Sequence, residues 1–125
     1  MDITKVYVIK ASVARVWKAL TNAECIEEWG AGPAQMRDET GASFSLWGGD
    51  IYGTVTEIVD ERRLVEDWYG GPWPAPSIAT FVLEPEGEAT RLTLTHTGVP
   101  DDEGPDFAAG WDDFYLGPLK EYLEG

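Results

Sequence analysis

The 125 residues carry 43% hydrophobic and 12% aromatic side chains, enough for one domain over residues 1–125 with a real core, and wholesale disorder is excluded. A formal charge of −14 repels phosphate backbones and anionic headgroups, so neither nucleic acid nor an anionic membrane surface is an expected partner. Cys25 is the only cysteine, no apolar run nears the roughly 20 residues of a membrane span, and the start lacks a signal-peptide pattern, which together suggest a cytoplasmic protein.

The chain opens with an alternating strand from Ile3 to Lys10. Ser12 is a good N-cap for a helix whose apolar face is Val13, Val16, Trp17 and Leu20. Thr21 and Glu24 have capping-box spacing for a second helix, which Trp29-Gly30-Ala31-Gly32-Pro33 stops. From Gln35 the period changes to two. Ser43 to Trp47, Ile51 to Val59, Leu64 to Tyr69, Ser77 to Glu84 and Thr90 to Thr97 read as strands. Short polar turns join most of them, so an antiparallel meander is expected. The connection from Gly70 to Pro76 is longer, proline-stiffened and carries Trp73. A last helix begins after Gly104-Pro105, and its apolar residues repeat at three and four from Phe107 to Leu123. Gly117-Pro118 interrupts that stripe, which predicts a kink or break there.

The run from Ile9 to Thr21 followed by Trp29, together with Gly53-Thr54-Val55-Thr56-Glu57-Ile58, Arg63 to Trp68, Thr90 to Gly98 and Gly110-Trp111, resembles the START-like superfamily. Within it the chain is most similar to the branch named after activators of the heat-shock-protein-90 ATPase. The resemblance covers nearly the whole chain. It implies an α+β helix-grip fold: a curved antiparallel sheet of about six or seven strands, two short helices after the first strand, and a long C-terminal helix across the sheet, with a pocket between them. Across the superfamily that pocket holds hydrophobic molecules, and a minority of members catalyse cyclisation or dehydration there. Chaperone activators of the branch carry a separate N-terminal domain for their main chaperone contacts. The chain departs from the pattern in being short between Trp29 and Phe44 and in carrying Gly117-Pro118.

Strand parity then selects candidate pocket residues. Leu92, Leu94 and His96 share one face of the last strand, and Leu64, Glu66 and Trp68 share one face of another. If the leucines point inward, His96 and Glu66 do too, unless a bulge turns Glu66 out to solvent. Phe81 falls on the less distinct strand before. Trp68 and Trp111 should oppose each other, sheet against helix, with Tyr115 one turn further on. Trp73 is either packing for its loop or a lid over the pocket mouth. Trp68, Phe81, Leu94, Trp111 and Tyr115 are therefore the expected walls, and Glu66 and His96 the polar anchors. No catalytic residue, cofactor or metal is assigned: one histidine and one cysteine make a poor zinc site, and Asp101, Asp102, Glu103 and Asp106 lack calcium-loop spacing. The leading expectation is a binding protein for a hydrophobic or amphipathic small molecule. The alternatives are a protein-interaction or chaperone-associated module without ligand, and a cyclase- or hydrolase-type enzyme using the same pocket.

Overall fold

The computed structural model describes residues 1–125 and contains a six-stranded antiparallel sheet, two short helices and a long C-terminal helix. The strands are β1 (Ile3–Ile9), β2 (Ser43–Leu46), β3 (Ile51–Val59), β4 (Arg63–Tyr69), β5 (Ser77–Glu86) and β6 (Ala89–Thr97). Their spatial order is β1-β6-β5-β4-β3-β2, the expected meander with the first strand added beside the last. Alternation sends Leu64, Glu66 and Trp68 of β4, Phe81 and Leu83 of β5, and Leu92, Leu94 and His96 of β6 into the core. The other face leaves Val6, Val8 and Ile78 exposed.

Helix α1 (Val13–Thr21) starts at Ser12, whose hydroxyl accepts from the Arg15 N–H at 3.2 Å. Helix α2 (Ala23–Trp29) corrects the capping-box expectation. Its cap is Asn22, whose Oδ1 accepts from the Cys25 N–H at 3.0 Å, while the Thr21 hydroxyl donates back to the Trp17 carbonyl inside α1. An amide side chain beside a hydroxyl won the position because Thr21 already had a carbonyl within reach. The short segment after Trp29 joins the sheet. Gln35 exchanges two backbone hydrogen bonds with Ser45 and extends its β2 edge.

Two further expectations change. The bulge that could have turned Glu66 outward lies in β3, between Val55 and Glu57, so β4 stays regular and Glu66 stays inside. Of the kink or break expected at Gly117-Pro118, the break is absent and the irregularity is a π turn that ends at Gly117. The C-terminal helix runs as α3 (Gly104–Gly110), a wide π turn (Trp111–Leu116) and α4 (Gly117–Glu124). The Gly117 N–H reaches the Asp112 carbonyl, five residues back instead of four. That widening absorbs the proline, which has no N–H to give and whose ring would crowd an α-helical carbonyl four residues earlier. Glycine is required at 117, since a Cβ there would sit 2.3 Å from the Asp112 oxygen.

Aromatic rings fill much of the space between sheet and helix. Phe81 stacks on Tyr115 at 5.7 Å, Trp111 lies 4.8 Å from Tyr115 and 4.9 Å from Trp68, and Trp29 meets Tyr115 edge-on.

Candidate functional site: an apolar groove and a buried polar row

Where the helix and the β2–β3 hairpin diverge, the core runs out of side chains and leaves a groove of about 380 Å³. Trp68, Trp111 and Tyr115 line it together with Ile51, Trp47 and Asp50 of the hairpin and Asp106, Phe107, Gly110 and Phe114 of the helix. Phe114 stands at the lip, 65% exposed. Trp47 is held there by an unusual backbone: its φ of 50° is a left-handed value for a non-glycine residue, and its indole N–H donates to the Gly30 carbonyl at 3.1 Å.

The residues singled out from sequence divide into two groups. Trp68, Trp111 and Tyr115 line the groove; Glu66, Phe81, Leu94 and His96 are buried behind it and are not part of its lining. Trp73 is not part of the lining either. Its N–H donates to Glu103 at 2.8 Å and its ring lies 5.3 Å from Phe107, so the proline-rich loop braces the helix wall from outside. Sequence reasoning missed Trp47, Ile51, Phe107 and Phe114 as lining residues. Phe107 and Phe114 were visible as members of the helical stripe, but nothing in the spacing marks the point where that stripe leaves the sheet.

Behind the groove, His96 has both nitrogens engaged. The Trp111 indole N–H donates to Nδ1 at 3.0 Å, and Nε2 lies 2.7 Å from the Ser77 hydroxyl. An indole can only donate, so Nδ1 is the bare nitrogen and Nε2 carries the proton. Ser77 therefore accepts from His96 and passes its own proton to the Trp68 carbonyl at 2.6 Å. Burial pushes the imidazole down to about 4, so it is neutral.

Glu66 is the opposite case. It is 1% exposed, and neither of its carboxyl oxygens has a hydrogen-bond partner. Burial, with the nearby Asp67 charge adding to it, pushes the carboxyl up to about 8. The Trp68 indole N–H is likewise buried without a partner. Ala79 separates Glu66 from His96 in one row across the sheet. Burial, and then the Glu66 charge, raise the Tyr115 phenol well above its usual range.

Comparisons with known proteins agree with this architecture. The family model described as "Activator of Hsp90 ATPase homolog 1-like protein" matches residues 10–124. The human activator of 90 kDa heat shock protein ATPase homolog 1 is 26% identical over 113 residues, covering 88% of this chain and 33% of that protein. The chain thus spans about a third of the length of the curated relatives it matches. The crystal structure of an HSP90 activator from Plasmodium falciparum superposes with a TM-score of 0.91 at 24% identity, over 98% of this chain and 96% of that one. The crystal structure of CalU16 from Micromonospora echinospora is similar at 27% identity with a TM-score of 0.84, over 98% and 75% of the two chains.

Proposed function

Because the chain belongs to the family of activator of Hsp90 ATPase homolog 1-like proteins, we propose that it acts as a chaperone-associated interaction module, a single domain in the cytoplasm that contacts an Hsp90-type chaperone. The observation that carries this reading is the pairing of a filled aromatic core with an exposed Phe114 beside an apolar groove. A closed internal cavity would favour a carrier. An apolar side chain held out beside a groove favours a surface that another protein covers. Curated relatives are named as activators or co-chaperones of Hsp90, which supports the same partner class. No helix is long and apolar enough to cross a membrane. The test is calorimetric titration of an Hsp90-type chaperone with this chain, alongside the chaperone's ATP turnover. Phe114→Glu should weaken binding by about tenfold or more, as loss of a central aromatic anchor does. Failure of the unaltered chain to bind would overturn the reading.

One observation favours a second reading, carriage of a hydrophobic or amphipathic small molecule. Burying a carboxyl and an indole N–H without partners destabilises a fold by about 1–3 kcal/mol for each group, and Glu66 and Trp68 do so directly behind the groove. An enzymatic use of the same residues has less support, because His96 is tied to Trp111 and Ser77 and forms no acid–base pair with Glu66.

A further inference from the structure

The interior beside the groove satisfies its polar atoms except at Glu66 and Trp68. His96, Ser77 and Trp111 complete one another's hydrogen bonds, and the Trp29 N–H finds the Ala19 carbonyl at 2.9 Å. The three buried side-chain atoms left without partners are both carboxyl oxygens of Glu66 and Nε1 of Trp68. These residues stand two apart on the inner face of β4, so their Cα atoms are separated by about 7 Å. Sheets bury such groups at a cost, and an apolar pair would have served packing alone. Trp68 lines the groove, and Glu66 is buried two residues before it on the same inward face of β4, so the carboxyl lies beside the groove wall. That wall is supplied in part by the π turn, a widened stretch of helix of the kind that recurs at functional sites.

We infer that Glu66 and Trp68 form a concealed polar end of the groove, which takes the uncharged oxygen of an amphipathic molecule, a hydroxyl or carbonyl, whose apolar body lies among Trp47, Phe107, Trp111 and Phe114. The inference rests on the small-molecule reading above. The chemistry selects the head group. The Trp68 N–H can only donate, and an un-ionised Glu66 can both donate and accept, so the pair suits an oxygen that accepts and, if a hydroxyl, also donates. A carboxylate or phosphate would meet Asp50 and Asp106 on the lining and Glu66 at its end. An ammonium would leave the Trp68 N–H unpaired. The titratable groups near Glu66 are Asp67, next to it in sequence but on the opposite face of the strand, and Tyr115 on the helix, with His96 two strands away in the same row.

The test titrates decan-1-ol and decanoate into the chain, reading tryptophan fluorescence, with circular dichroism to show that every sample is folded. Glu66→Gln and Glu66→Leu are compared with the unaltered chain at about pH 6 and about pH 9, either side of the Glu66 ionisation. Decan-1-ol should bind at least about tenfold tighter than decanoate, and tighter still at the higher pH, where an ionised Glu66 accepts a charge-assisted hydrogen bond from the hydroxyl. Glu66→Gln should abolish that pH dependence, and Glu66→Leu should weaken decan-1-ol about tenfold while decanoate, still opposed by Asp50 and Asp106, stays weak. Binding of neither probe would overturn the small-molecule reading and this inference with it. Equal binding of both probes, or decan-1-ol binding indifferent to pH and to Glu66→Leu, would leave a ligand groove and overturn the polar end.

Discussion

Trp111 hands its indole proton to Nδ1 of His96 across 3.0 Å, and that bond ties the long helix to the last strand at the back of the groove. Protonating His96 puts the ring's second hydrogen on Nδ1, the nitrogen that must accept, so acid breaks the tie. The buried imidazole has its pKa at about 4, against 6.5 in the unfolded chain. Its stabilising contribution is therefore fully present above pH 6.5 and is lost as pH falls through 4, to the extent of about 3 kcal/mol. Urea unfolding at a series of pH values should show this decline, and His96→Gln should remove it.

Glu66 has the opposite sign. Its carboxyl is raised from 4.5 to about 8, so its neutral form is the one the fold accommodates. Stability linked to it is full below pH 4.5 and is lost as pH rises through 8, with a ceiling of roughly 3–5 kcal/mol. Between pH 4.5 and 6.5 the two groups oppose each other, which places the most stable range in mild acid. Glu66→Gln should match the unaltered protein near the acid end and exceed it in alkaline urea unfolding; equal stability at both ends would contradict the assigned burial.

Trp111→Phe keeps an aromatic ring against Trp68, Phe81 and Tyr115 but removes the donor to His96. It should cost about 1–3 kcal/mol, the penalty for leaving a buried acceptor unpaired. Nuclear magnetic resonance of the imidazole should also show that its tautomer is no longer fixed. An unchanged imidazole spectrum would mean that Trp111 does not set the proton's position.

The π turn gives a separate test. A Cβ at residue 117 would meet the Asp112 oxygen at 2.3 Å, so Gly117→Ala should destabilise the helix by about 2 kcal/mol or more. Thermal unfolding measures it. A neutral substitution would mean that the helix rewinds freely through this point.

Much of the fold was legible because its signals are local. The period-two runs gave the strands, Ser12 gave the first cap, and strand parity put Glu66 and His96 inside with Leu64 and Leu94. What was not legible depends on competition between neighbours. Thr21 lost the capping position to Asn22 because the Trp17 carbonyl claimed its hydroxyl. Pro118 did not break the helix, because Gly117 without a Cβ allowed a wider turn. The groove itself was only partly legible. Parity tells which residues face inward, and Phe81 and Leu94 do, but a groove forms where two elements part, and that depends on how the Trp47 hairpin and the Phe107–Phe114 stretch diverge.

The exposed sheet face, with Val6, Val8 and Ile78, is a second apolar surface that a partner could use. Mapping backbone amide shifts of the isotope-labelled chain as an Hsp90-type chaperone is added separates the two faces directly. Shifts should concentrate at Trp47, Ile51, Phe107, Gly110 and Phe114. No shift anywhere, or shifts confined to Val6, Val8 and Ile78, would contradict chaperone binding at the groove.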